Sequence, residues 1–135
     1  MKLLAGVKGT GKTKALIAEV NKICGESHGS IVCIEKGKKL TFDVSYQARL
    51  VDSEDYGING SEMLYGFLCG ILSQNYDITE IFIDNAFAIC GNKPEELEAF
   101  LVKADQITAA NNVACLVTAS VDPSLLSEKV RAYIA

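Results

Sequence analysis

The chain has 135 residues, 49% hydrophobic and 22% charged, a balance that excludes a disordered tail and predicts one globular domain over residues 1–135. A formal charge of −4 argues against a protein whose main task is gripping nucleic acid, since such a protein carries a basic footprint. The charge is uneven: residues 1–60 hold nine Lys/Arg against seven Asp/Glu and the remainder four against ten, so an anion site belongs in the first part.

In chain order, the first apolar segment is Lys2–Ala5, read as a strand. It leads through a glycine-rich stretch into an apolar stripe, Leu16, Ile17, Val20, Ile23 and Cys24, with helical spacing and an expected C-terminal cap at Gly25. Ser30–Glu35 and Ala48–Asp52 read as the next two strands. Between them Lys36 to Asp43 reads as a turn and a short extra strand at one edge. Leu64, Phe67, Leu68, Ile71 and Leu72 form a second helical stripe, for which Ser61 is the expected N-cap. A fourth strand, Glu80–Asp84, is followed by a helix through Leu97, Phe100, Leu101, Ala104 and Ile107, with Pro94 in its first turn. The last strand is Val113–Thr118, and a final helix is expected from Asp122-Pro123 toward Ile134. Runs such as Ile31-Val32-Cys33-Ile34 and Ile81-Phe82-Ile83 are apolar on both strand faces. That is the pattern of strands covered on both sides, and the alternation with helices predicts an α/β domain of three layers with a mainly parallel sheet of about five strands.

The five cysteines, Cys24, Cys33, Cys69, Cys90 and Cys115, include no C-x-x-C pair, so neither a zinc site nor a disulfide framework is expected. Met1-Lys2-Leu3-Leu4 passes directly into the glycine-rich stretch, leaving no room for a signal peptide. The longest apolar stretch, Met63 to Leu72, is interrupted by Gly66 and Gly70 and is too short to span a bilayer. The expectation is a cytoplasmic, soluble protein.

The sharpest motif is Gly6-Val7-Lys8-Gly9-Thr10-Gly11-Lys12-Thr13, which fits G-x-x-x-x-G-K-[ST] between an apolar strand and an amphipathic helix. In such a phosphate-binding loop the glycines let successive N–H groups turn inward, and the positive end of the helix reinforces them. The expected ligand is a nucleoside triphosphate, ATP with Mg²⁺, held by Gly6, Val7, Lys8, Gly9, Thr10, Gly11, Lys12, Thr13 and Lys14. Lys12 is expected to reach the β- and γ-phosphates, and Thr13 to offer its hydroxyl to the metal. Ile81-Phe82-Ile83 ending at Asp84 reads as the strand whose terminal acid shares the metal with Thr13. Asn85 stands where many ATPases carry a catalytic Glu.

Glu35 ends the second strand 23 residues after Lys12. It stays open between a water-activating base and a solvated strand-end carboxylate. Thr118 is the candidate γ-phosphate sensor, its alternative being an ordinary polar residue capping a buried strand. In this order of elements the residues resemble the RecA-like ATPases, and the resemblance implies the roles given to Glu35 and Thr118. The chain is also similar to a family of small bacterial P-loop ATP-binding proteins, some labelled by analogy with twitching-motility ATPases. That similarity rests on Gly6–Thr13, Arg49-Leu50-Val51, Asp55-Tyr56-Gly57-Ile58, Leu64-Tyr65-Gly66-Phe67 and Asn75-Tyr76-Asp77-Ile78 through Asp84. The chain is far too small to include the N-terminal domain of a pilus motor, so the motor function does not carry over.

A GTPase is disfavoured, because Asn92-Lys93-Pro94-Glu95 only mimics a guanine-reading N-K-x-D. A small-molecule kinase is the nearer rival, yet such enzymes generally use several arginines and the chain has only Arg49 and Arg131. The other class is a nucleotide-dependent switch with little hydrolysis, acting on a protein partner or within a homo-oligomer. Lys36, Lys38 and Lys39 read as a solvated basic turn in preference to a contact with a nucleic-acid backbone or with a partner's acids.

Overall fold

In the computed structural model, which describes residues 1–26 and 29–135, five strands form at the apolar runs. They are β1 (Lys2–Gly6), β2 (Ser30–Glu35), β3 (Ala48–Asp52), β4 (Ile78–Ile83) and β5 (Ala114–Ser120). All pair in parallel, in the order β1-β5-β4-β2-β3. The helices are α1 (Lys12–Glu26), α2 (Ser61–Gln74), α3 (Ala86–Ile89), α4 (Pro94–Ala110) and α5 (Glu128–Arg131), with 3₁₀ turns at Ser53–Tyr56 and Pro123–Leu125.

The handedness rule for parallel crossovers explains which face each helix takes. From β1 to β2 and on to β3 the chain moves across the sheet in one direction, and α1 and residues 36–47 cover one face. There Leu16, Val20 and Cys24 of α1 and Leu40 and Val44 of the loop pack with Ile31, Cys33 and Phe82. From β3 to β4 to β5 the chain returns in the opposite direction, so α2 and α4 cover the other face. Leu64, Leu68, Leu97, Phe100 and Leu101 meet Ile34, Ile81, Ile83 and Val117 there. The return continues past β1: Leu3 N–H donates to the Tyr133 carbonyl at 2.8 Å, and Ala135 N–H donates to the Leu3 carbonyl at 3.2 Å. No helix among the described residues is long and apolar enough to cross a membrane.

Two strands shift, Ile78–Ile83 forming where Glu80–Asp84 was expected and Ala114–Ser120 where Val113–Thr118 was, and four further local expectations change. Helix α1 runs through Gly25 to Glu26, so Gly25 is not a cap. Helix α2 takes Gly60 as its N-cap, at φ 95, and Ser61 is its first residue. The Ser61 hydroxyl instead donates to the Glu96 carboxylate on α4. The expected final helix is divided into the Pro123–Leu125 turn and the four-residue α5, because Leu126 between them is extended at ψ 148. Lys36 to Asp43 add no strand, because the backbone turns there, Asp43 and Val44 N–H both donating to the Leu40 carbonyl at 3.0 Å, and Leu40 and Val44 pack against α1. Side chains hold them in their place. The Asn21 amide of α1 accepts from Ser45 N–H at 2.8 Å and donates to the Asp43 carbonyl at 2.8 Å.

Candidate functional site

In an open α/β sheet, a crevice forms at the carboxyl edge where neighbouring strands send their chains to opposite faces. That happens here between β1, which continues over the α1 face, and β5, which continues over the other. It happens again between β4 and β2. The candidate residues lie along this edge.

The segment Gly6–Thr13 links β1 to α1 as a tight loop. Gly9 and Gly11 sit at φ 88 and φ 81, left-handed values that glycine adopts without steric cost. The α1 ladder begins with Ala15 N–H donating to the Gly11 carbonyl at 3.0 Å. The N–H groups of Lys12, Thr13 and Lys14 therefore precede the ladder and lie at the positive end of the helix. Lys12 folds back on the loop, its Nζ donating to the Val7 carbonyl at 2.9 Å and to Thr10 Oγ1 at 3.1 Å. Burial holds its ammonium below the usual lysine pKa, and the charge of Asp84 works in the other direction. Val7, Lys8 and Thr10 are exposed on the loop, and Lys14 is exposed on the first turn of α1. A cavity of about 310 Å³ adjoins the loop, lined by Leu4, Gly6, Thr10, Lys12 and Ile134 among others.

Asp84 follows β4 directly, buried, and is where three elements meet. Thr13 Oγ1 of α1 donates to its Oδ1 at 3.1 Å, and Thr118 Oγ1 of β5 donates to the same oxygen at 2.7 Å. Thr118 Oγ1 in turn accepts from Asn85 N–H at 2.8 Å. A hydroxyl and a carboxylate side by side, with Thr13 exposed, are hard oxygen donors. Such a pair suits Mg²⁺, which keeps waters and phosphate oxygens for its remaining positions. Among the described residues no three His, Cys, Asp or Glu side chains gather as an all-protein metal cage.

Glu35 lies farther along the same edge, 2% exposed. Its Oε1 accepts from two loop amides, Lys39 N–H at 2.6 Å and Leu40 N–H at 3.1 Å. It is not a solvated carboxylate, and it anchors the chain that leaves β2. Its Oε2 has no hydrogen-bond partner among the described residues. Asp52, at the end of β3, makes a similar anchor: Oδ1 accepts from Gly37 N–H at 2.9 Å and Glu54 N–H at 3.1 Å, while Lys38 bridges it to Asp55. The Gly37 N–H is the chief cause that holds the Asp52 carboxyl below its usual pKa.

The sequence reading noted Asn85 but not its backbone, and it missed Asn21. Asn85 sits at φ 53, where Asn is tolerated far better than longer side chains. The Glu expected there by analogy is thus disfavoured by the backbone itself. Asn21, which clamps residues 43–45, gives no sequence signal beyond being an amide in mid-helix. The five cysteines are free thiols. Burial first of all pushes Cys33, Cys90 and Cys115 up to about 12, so these three are inert at neutral pH.

No protein-family model and no curated protein sequence matches this chain.

Proposed function

We propose that this chain is a P-loop nucleotide-binding protein of RecA-like type that binds Mg-ATP and hydrolyses it. The observation that carries the reading is the meeting of Thr13 and Thr118 on one oxygen of Asp84, beside the Gly6–Thr13 loop. These residues lie 71 and 34 positions from Asp84, and nothing local requires them to converge. The strand order gives further support, because β5 stands between β1 and β4, as the RecA-like arrangement expects.

In this reading the loop amides and the N-terminus of α1 receive the phosphates, and Lys12 exchanges its loop acceptors for the β- and γ-phosphates. Thr13 and Asp84 would hold Mg²⁺, which when bound screens phosphate charge and fixes the geometry of the transferring group. Thr118 passes the position of Asp84 to β5 and the Asn85 backbone. Glu35 positions or deprotonates the attacking water through Oε2, while Oε1 remains committed to the loop.

That commitment also favours a second reading, a nucleotide-dependent switch with slow hydrolysis, in which Glu35 serves mainly as an anchor. Thermal unfolding tests the shared part. Mg-ATP at 100 times its dissociation constant adds about 2.7 kcal/mol to the stability of the wild type. Lys12→Ala is expected to lose most of that gain. Equal stabilisation of both proteins would remove Lys12 from the site. Steady-state phosphate release then separates the ATPase from the switch.

A further inference from the structure

Between the flank of α2 and the edge strand β3 lies a cleft of about 540 Å³. That volume falls within the usual range of small-molecule sites, about 300–1,000 Å³. The cleft lies at the opposite side of the sheet from β1 and the Gly6–Thr13 loop. The buried Val32, Val51 and Ile78 make its floor. At one end Tyr56 stacks on Phe67, with ring centroids 6.0 Å apart, yet it remains 57% exposed, so much of its ring is open to a second stacking partner.

Arg49 is the one ionised side chain among the described lining residues, and its guanidinium has no ion-pair or hydrogen-bond partner among the described residues. The acids that follow it in the chain face elsewhere. Asp52 and Asp55 are held by Lys38, and the Glu54 carboxylate points to the same turn, its Oε1 3.5 Å from where a Cβ on Gly37 would stand. Gln47, just before β3, and Gln74, at the end of α2, also line the cleft, and their side-chain amides have no hydrogen-bond partner among the described residues. A free guanidinium with two free amides makes an anion site. Arg49 stands three residues before the end of β3, about 10 Å at the rise of a strand, and Tyr56 lies beyond that end. The stacking surface and the anion site are therefore apart, and a ligand that uses both must bridge them.

We propose that this cleft binds a nucleoside monophosphate, its base laid on Tyr56, its ribose over Val51 and Val32, and its phosphate paired with Arg49 and the amides of Gln47 and Gln74. A simple aromatic carboxylate carries its anion on the ring and does not span the separation, whereas a ribose does. One cation suits one phosphate; a nucleic-acid strand calls for a track of them. The site is separate from the Gly6–Thr13 loop and does not rest on the nucleotide reading given to that loop.

An NMR titration of the full chain with adenosine monophosphate tests it, because the amide shifts report where the ligand sits. Saturable shifts are expected at Arg49, Tyr56, Phe67 and Gln74, with a dissociation constant of about 1 mM or below. Tyr56→Leu, which keeps an apolar contact for Phe67, and Arg49→Ala should each weaken binding about tenfold or more, and their unliganded amide spectra should show an intact fold. Inorganic phosphate and benzoate should give no saturable shift at the same residues. Four results would overturn the proposal: no saturable shift at about ten times that concentration, shifts confined to residues 6–14, folded variants that bind as the wild type does, or equal shifts from phosphate or benzoate alone. A thymidine oligonucleotide bound more tightly than the monophosphate would overturn it too, since the cleft would then be part of a strand-binding surface.

Discussion

Three carboxylates end strands on the same edge of the sheet, yet they meet different partners. Asp84, after β4, receives two hydroxyls from distant elements, Thr13 and Thr118. Glu35 and Asp52, ending β2 and β3, receive backbone amides of the segments that leave those strands. A hydroxyl can turn from the carboxylate to a ligand and keep its other lone pair available. A backbone amide tied to a carboxylate fixes the course of the chain, and its loss leaves a donor without an acceptor. One half of the edge is therefore arranged to exchange partners, and the other to hold shape. Glu35 stands on the boundary, with one oxygen committed and one available.

The largest expected effect tests which side of that boundary Glu35 belongs to. Glu35→Gln retains a carbonyl oxygen for Lys39 and Leu40, so fold and Mg-ATP binding should persist in calorimetry. Turnover should fall by on the order of 10²-fold or more, because the amide cannot take a proton. Equal phosphate-release rates for mutant and wild type would class Glu35 with Asp52 as an anchor only.

Next in size is the contrast between Asp84 and Asp52. Asp84→Asn keeps an acceptor for Thr118 but loses the charge, and it should remove most of the Mg²⁺-dependent part of an ATP stabilisation of about 2.7 kcal/mol at 100 times the dissociation constant. Asp52→Asn should leave that part unchanged. The pair of melting curves, with and without Mg²⁺, decides this, and a like response from both variants would erase the distinction drawn between the two halves.

Asp52→Ala should act on stability alone, lowering it by about 1–3 kcal/mol as the Gly37 and Glu54 amides lose their acceptor. Urea unfolding measures the loss, and nucleotide affinity serves as the control. The smallest effect is a dependence on pH. The Asp52 pKa is lowered on folding, so its contribution is fully present above the ordinary carboxylate value and disappears as pH falls through the lower folded one. As pH falls below the ordinary carboxylate value, the wild type should lose more stability than Asp52→Asn. Parallel losses would show that the anchor does not titrate as described.

How much of this was legible depended on the range of the determining contact. Ser30–Glu35 and Ala48–Asp52 have the bounds their apolar runs predict, because strand length follows local composition. The Gly6–Thr13 loop and Asp84 were legible for a similar reason: their spacing and flanking elements are local. Ser61 looked like a cap because capping propensity is local too, but its hydroxyl found Glu96, 35 residues away. Within Lys36 to Asp43 the short edge strand was misread because the true partners of this segment are side chains: Glu35, Asn21 and Asp52. Analogy set Thr13 and Asp84 on one metal but offered Thr118 to the γ-phosphate, and the meeting of Thr118 with Asp84 was not foreseen, since the strand order that brings them together is a property of the whole sheet.

That strand order also sets a sequence of events in folding. Strand β1 pairs residues 2–6 with residues 116–120, and its other edge meets Tyr133 to Ala135. Both neighbours come from more than a hundred positions away, so closing this part of the sheet costs loop-closure entropy before any contact repays it. Strands β2, β3 and β4 are much closer together along the chain. The Gly6–Thr13 loop hangs on the strand with the most distant partners, and the candidate site is accordingly among the last parts of the molecule to take shape.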